Sequence, residues 1–136
     1  MRRFVKIIAA SLAMLCCLSS SVNPGGDGYD VFVPIAKYLG QGDAEKLSAW
    51  FADNLEITIM STTIDSSKNQ AKQILKSFFE NHTPRSFTIN HTASRSNSKY
   101  ALGYLNAGGE LFEVTIFVNA CKNTYKIQQL KIDRLR

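Results

Sequence analysis

Cysteine is nearly missing from the part of this chain that could fold. Of three cysteines, Cys16 and Cys17 lie in the first 21 residues and only Cys121 lies beyond them. One thiol cannot make an internal disulfide, and with no activating neighbour in sequence Cys121 reads as a small packing residue. Histidine is as scarce. His82 and His91 stand nine residues apart with no His-x-x-x-His or Cys-x-x-Cys spacing, so neither a metal site nor a cofactor is expected. No stretch after residue 18 approaches the roughly 18 apolar residues that a spanning helix needs. Internal repeats are absent too.

An excess of one charge is also lacking once the N-terminus is set aside. The whole chain carries +5, but three of its 16 basic residues and none of its 11 acidic ones precede Ser21, leaving +2 for the rest. The remaining Lys and Arg are scattered, without the basic stripe or stacking aromatics of a nucleic-acid footprint. No polybasic run offers itself to an anionic membrane.

The first segment has a clear order. Arg2, Arg3 and Lys6 precede an uncharged apolar stretch at 7–18, and Ser19, Ser20 and Ser21 follow with small side chains. That is the layout of a secretory signal peptide over 1–21, so the protein is expected to be exported, periplasmic or secreted. The alternative is lipidation at Cys17 and tethering at the cell envelope, the one route by which this domain would meet a membrane. Residues 22–29, with Gly25, Gly26 and Gly28, form a flexible linker, and 30–136 a single domain.

Within that domain the patterning predicts three helices. Residues 29–39 place Val31, Ile35, Tyr38 and Leu39 at helical spacing, with Pro34 in the first turn and Gly40 and Gly42 as the end. Asp43 caps a second helix whose stripe is Leu47, Trp50 and Phe51. Ser67 and Gln70 make a capping box for a third, with Ala71, Ile74, Leu75, Phe78 and Phe79 on one face and Pro84 as the stop. A strand at 55–61 separates the second and third helices. Four more follow: one around Phe87 and Ile89, one at 100–105, one at 111–118 and one at 125–135. Gly108-Gly109 is the hairpin loop between the middle two. A parity change between Ile127 and Leu130 predicts a bulge near Gln128 and Gln129. The order α-α-β-α-β-β-β-β is α+β, with strands in antiparallel hairpins and helices on one sheet face.

Three stretches carry a resemblance: GDAEKLSAWFAD at 42–53, NQAKQILKSFF at 69–79, and KYALG at 99–103 leading into NAGG at 106–109. With this element order, the chain from about Val31 onward resembles the nuclear transport factor 2-like (cystatin-like, cone-shaped) superfamily. Within it, the chain resembles a family of small secreted bacterial proteins of unknown function. The resemblance implies a strongly curved sheet wrapped around helices, with a pocket at the open end. It implies little about activity, because the superfold hosts many functions.

Enzymes of that superfamily place an Asp, Glu or His inside the cone beside a Tyr or a second acid. By strand parity His91 lies with Phe87, Ile89 and Ala93, on the apolar side. It is the candidate general base of an isomerase, dehydratase or cyclase, with Asp53 or Asp65 as the acid the fold would have to bring to it. A two-residue loop at Gly108-Gly109 pairs Leu105 with Phe112, Gly103 with Val114 and Ala101 with Ile116 on the inner face. The small pair Ala101 and Gly103 leaves room either for a ligand or for a helix side chain such as Trp50 or Phe78. Opposite lie Tyr100, Leu102, Tyr104, Glu113, Thr115 and Phe117, an apolar outer face suited to a homodimer or another partner. His82, flanking a helix end, is expected to face water. The two Asn-His-Thr triplets, which also fit a glycosylation signal, read as coincidence. Taken together, these features favour a non-catalytic domain that binds a partner protein or a small apolar ligand in or beside the cone.

Overall fold

The computed structural model describes residues 30–135. The fold is that of the unit Phe32–Arg136. The expected signal peptide, the linker and Cys17 lie outside the described residues.

Helix α1, Phe32–Gln41, buries Phe32, Ile35 and Leu39 along one stripe, and Pro34 sits in its first turn. It starts three residues later than the sequence pattern suggests and runs through Gly40. Its end is a Schellman closure: the Asp43 N–H donates to the Tyr38 carbonyl at 3.0 Å and the Gly42 N–H to Leu39 at 3.2 Å. Gly42 supplies the positive φ, 70°, that this closure needs. Asp43 then starts α2, Ala44–Ser48, its carboxylate accepting from the Lys46 N–H at 3.0 Å. The expected continuation through Trp50 and Phe51 does not form. The N–H groups of Ala49 and Trp50 turn back to Lys46 and Leu47, tightening and ending the helix. Phe51 instead opens strand β1.

β1, Phe51–Ile59, folds back on β2, Thr62–Ser67, in an antiparallel hairpin. The sequence pattern misses β2, so the observed order is α-α-β-β-α-β-β-β-β. TTIDSS has one apolar residue and no alternation, and its turn is Met60-Ser61, not Asn-Gly. Both turn residues nevertheless take positive φ, 48° and 77°. Helix α3, Lys68–Asn81, then begins on the expected cap, the Ser67 hydroxyl accepting from the Gln70 N–H at 3.1 Å. Ala71, Leu75, Phe78 and Phe79 are buried.

The remaining strands are β3, Pro84–Ser94; β4, Ser98–Ala107; β5, Glu110–Cys121; and β6, Thr124–Arg134. All six strands form one sheet in the order β2-β1-β6-β5-β4-β3. The expected hairpin chemistry holds between β4 and β5: Leu105 pairs with Phe112, Gly103 with Val114 and Ala101 with Ile116, around a turn with φ of 61° and 82° at Gly108 and Gly109. The β6 bulge also falls where parity places it, since Phe117 pairs with Gln129 and Val118 with Ile127, leaving Gln128 over. The sheet is not antiparallel throughout. β1 and β6 run parallel, joining the first strand to the last in the middle of the sheet. On the inner face α1 packs against β3, α3 against β1 and β2, and α2 against α3.

Candidate functional site

The inner face of the sheet is filled. Phe51, Leu105, Phe112, Val114, Ile116, Ile127 and Ile132 have no exposed surface. Among the expected pocket residues, Ala101 and Gly103 do face inward and are buried. The space beside Gly103 belongs neither to a ligand nor to Trp50 or Phe78. An added Cβ there would lie 2.7 Å from Cζ of Phe87 and 2.5 Å from the Thr88 carbonyl oxygen. A strand neighbour occupies the room that the glycine leaves. Trp50 is half-buried in the turn before β1, where its carbonyl accepts the Ile127 N–H at 2.7 Å.

His91 is not in the cone. Ile89 pairs with Gly103 but His91 pairs with Leu102, so Asn90 is an extra residue in β3. A bulge of one residue reverses the side-chain alternation beyond it. His91 is therefore exposed on the outer face, its ring 6.3 Å from that of Tyr100. The acids nominated as its partners are far off in the sheet. Asp65 is on β2, the opposite edge, and Asp53 is on β1 beside it. The outer-face row does assemble as expected: Tyr100 pairs with Phe117, Leu102 with Thr115 and Tyr104 with Glu113, all half-buried.

The histidine with a built environment is His82. Its backbone N–H ends α3 by donating to the Phe78 carbonyl at 2.8 Å. The ring stacks on Phe78, centroids 4.7 Å apart and planes 17° from parallel, and meets Phe112 edge-on at 5.4 Å. Its side chain is 19% exposed, contrary to the expectation that it faces water. Both ring nitrogens look at protein acceptors: Nδ1 is 3.4 Å from the Phe78 carbonyl, and Nε2 is 3.9 Å from Oε1 of Glu110. Glu110 in turn accepts from Nε of Arg134 at 2.8 Å. That guanidinium holds the Glu110 carboxyl below the ordinary glutamate range, and the same pair holds Arg134 above its own. The β4–β5 turn closes on this corner, the Gly108 N–H donating to the Thr83 carbonyl at 2.8 Å. A sequence signal for His82 was present, since it continues the α3 stripe four residues after Phe78.

Beside this corner lies a groove of about 590 Å³ between α3 and the tip of the β1–β2 hairpin. Ile59, Met60 and Ile64 form one wall. Ile74 and Phe78 form the other, with Gln70, Gln73, Ser77 and Asn81 along its rim and His82 at one end. Helical periodicity explains the division of labour on α3. Lys72, Lys76, Phe79 and Glu80 line a separate groove that also takes in the α1–α2 turn, Gln73 borders both grooves, and Gln70, Ile74, Ser77, Phe78 and Asn81 face the hairpin. The hairpin tip is fixed from behind: the Met60 N–H donates to the Ile132 carbonyl at 2.8 Å and the Ser61 N–H to the Asp133 carboxylate at 3.0 Å. Met60, one of the two left-handed turn residues, is thus held at the groove by a bond to β6. Among the described residues, no three of His, Cys, Asp and Glu gather as metal ligands. No described helix is long and apolar enough to cross a membrane.

The sequence matches the DUF4783 domain of unknown function over residues 32–133, nearly the whole of the unit just described. The chain belongs to the DUF4783 family. It is similar to a solved DUF4783 protein from Bacteroides uniformis, with 26% identity and a TM-score of 0.76 over 79% of this chain and 99% of that one. A DUF4783 protein from Bacteroides fragilis matches with 23% identity and a TM-score of 0.74, over 78% of this chain and all of that one. A cystatin-like domain of unknown function from Nostoc punctiforme shares the fold at 12% identity and a TM-score of 0.61, covering 76% of this chain and 72% of that one. The fold is therefore nuclear transport factor 2-like, as the resemblance implied. A comparison with curated proteins gives no match.

Proposed function

We propose that this DUF4783 domain is a non-catalytic binding module that holds a small apolar ligand in the groove between α3 and the β1–β2 hairpin. The observation that carries the reading is the contrast between a cone filled by its own side chains and an open apolar groove beside it. A volume near 590 Å³ with apolar walls and a few polar groups is the usual form of a small-molecule site. His82 supports the role as a wall: its nitrogens face protein acceptors, so it is placed to pack and not to move a proton. An exported domain, freed by its leader or tethered through Cys17, would meet such ligands at the cell envelope. The test is titration with the uncharged dye N-phenyl-1-naphthylamine. Saturable fluorescence enhancement is expected in the wild type, with loss of at least tenfold in affinity for Ile74→Glu, because a carboxylate on that half-buried wall would lose water to the bound dye without gaining a partner. Equal binding by both proteins would refute the assignment.

A second reading concerns the outer face, where Tyr100, Leu102, Tyr104 and Phe117 sit in register with His91 beside them. That contiguous row supports pairing of two copies through the sheet. Sedimentation should then give a dimer for the wild type and a monomer for Tyr104→Arg; an unchanged mass would remove this face as the interface.

A further inference from the structure

Four cations that are scattered in the sequence are gathered by the fold. Between residues 86 and 130 the charged side chains are Arg95, Lys99, Lys122 and Lys126, with the acids Glu110 and Glu113. Strand register sends the two signs to opposite ends. Ser94 pairs with Lys99, and Ser98 pairs with Asn119, which pairs in turn with Lys126. The Ala120 N–H donates to the Asn97 carbonyl at 2.7 Å, so the β3–β4 and β5–β6 turns make one end. Glu113 is five residues along β5 from Val118, the partner of Lys99, about 17 Å at roughly 3.4 Å per residue. That exceeds the screening length of about 8 Å at physiological salt. Across β6, Glu56 and Asp65 are level with Phe117, four residues short of Cys121. Asp53 is nearer, and Lys68 follows Ser67, the partner of its neighbour Asn54. None of the four cations has a carboxylate partner among the described residues. Lys99 stands 4.9 Å over the Tyr125 ring, and Lys126 donates to the Ala49 carbonyl at 2.9 Å. Trp50, next to Ala49, is half-buried, as is Tyr125. Helix α1 also runs back toward this end, since Gly42 lies against Pro84 and Gly40 against Phe87. The chain before α1 therefore joins the domain on this side.

From this arrangement we infer that the end formed by the β3–β4 and β5–β6 turns seats the domain on an anionic lipid surface. The inference does not depend on what the apolar groove holds. Lys and Arg without carboxylate partners are drawn to such a surface, each by about fivefold in partition. Trp and Tyr suit the headgroup level, where a ring with an apolar body and a polar tip meets both lipid and water. An acidic protein would also attract the four cations, but the side on which the chain joins would then be immaterial. A domain held at the envelope by its leader or by a lipid at Cys17 has this end turned toward the membrane.

The experiment is sedimentation of the full chain with vesicles of phosphatidylcholine alone or mixed equally with phosphatidylglycerol. Arg95→Glu/Lys122→Glu reverses two exposed charges at this end, and Lys46→Glu/Lys76→Glu makes the same net change at exposed positions on α2 and α3. The leader's Arg2, Arg3 and Lys6 are common to every protein, so the difference between proteins is the readout. The first variant is expected to lose at least about 25-fold in partition onto the mixed vesicles, two factors of five, and the second less than about threefold. Lys122→Gln, a neutral change at the same turn, should lose about fivefold. Trp50, the only tryptophan, reports on this end, and its emission should shift to the blue on mixed vesicles and be quenched by brominated lipid. Equal losses in the two double variants, or none in the first, would overturn the inference, because position at this end would not matter. Bound protein whose Trp50 escapes quenching would overturn it too, since another face would be docked. Tighter binding of the wild type to poly-glutamate than to mixed vesicles would assign this end to an acidic polypeptide instead.

Discussion

Gly103 is the residue whose identity the fold most narrowly dictates, and conformational freedom is not the reason. A methyl group at this position would press on the Thr88 carbonyl oxygen, which is main chain of the adjacent strand, and on the Phe87 ring. The ring can rotate; the carbonyl belongs to a paired strand and cannot move without disturbing the β3–β4 register. Gly103→Ala should therefore destabilise the domain by about 1–3 kcal/mol, the usual range for overpacking a tight site. Urea denaturation would measure it. Adding Phe87→Leu should recover only part of the loss, since it relieves the ring contact and leaves the carbonyl contact in place. A full recovery would mean that the ring alone sets the constraint. The same position shows what a sequence can disclose. A glycine in a strand signals a close approach, yet two readings of the approach stand side by side until Phe87 is seen to fill it.

Elements differ in how much of their arrangement local sequence reveals. The β4–β5 register was legible because a Gly-Gly turn fixes the pairing and every later pair follows by counting. The β6 bulge was legible because Ile127 and Leu130, both buried, break the two-residue period. The β3 bulge leaves no such trace: beyond Asn90 the strand is exposed, so no buried residue records the shift, and parity counted from Phe87 and Ile89 puts His91 on the wrong face. β2 was invisible for a related reason, having one apolar residue in six. At the far end of the sheet, Glu110 at the start of β5 and Arg134 at the end of β6 tie two strand termini together. Arg134, donating to the carboxylate, lowers the Glu110 pKa in the folded state. A lowered carboxylate pKa means that the pair's contribution is present above the unfolded-state value and is lost as pH falls through the folded one. Melting temperatures of wild type and Glu110→Gln should thus differ by a constant, small amount at neutral pH and converge as pH drops below the ordinary glutamate range. The groups are exposed, so added salt should shrink the difference as well. A gap that widens in acid would mean that the carboxylate is not stabilised by folding.

At the scale of the whole molecule, the parallel pairing of β1 with β6 governs how the fold is completed. Ile57 pairs with Leu130 and Ile59 with Ile132, contacts between distant parts of the sequence that no local pattern announces. The sheet order places β6 third of six, with β2-β1 on one side and β5-β4-β3 on the other. Without β6 those two groups share no strand. Ile127, Leu130 and Ile132, at most 1% exposed, would vanish from the core, and β1 and β5 would each present an unpaired edge to water. α3, which bears one wall of the groove, packs on β1 and β2, so the ligand site also depends on the closure that β6 supplies. Removing residues 124–136 should consequently abolish the fold and not merely trim it. The truncated protein is expected to lose amide dispersion in its NMR spectrum, show no cooperative urea transition and bind no dye. A dispersed spectrum from the truncated chain would show that the β5-β4-β3 meander with α1 is stable alone, and that β1 and β6 are additions to it. In the intact protein the same long-range pairing must be closed before its contacts stabilise anything, so folding should be slower than in helical domains of similar length.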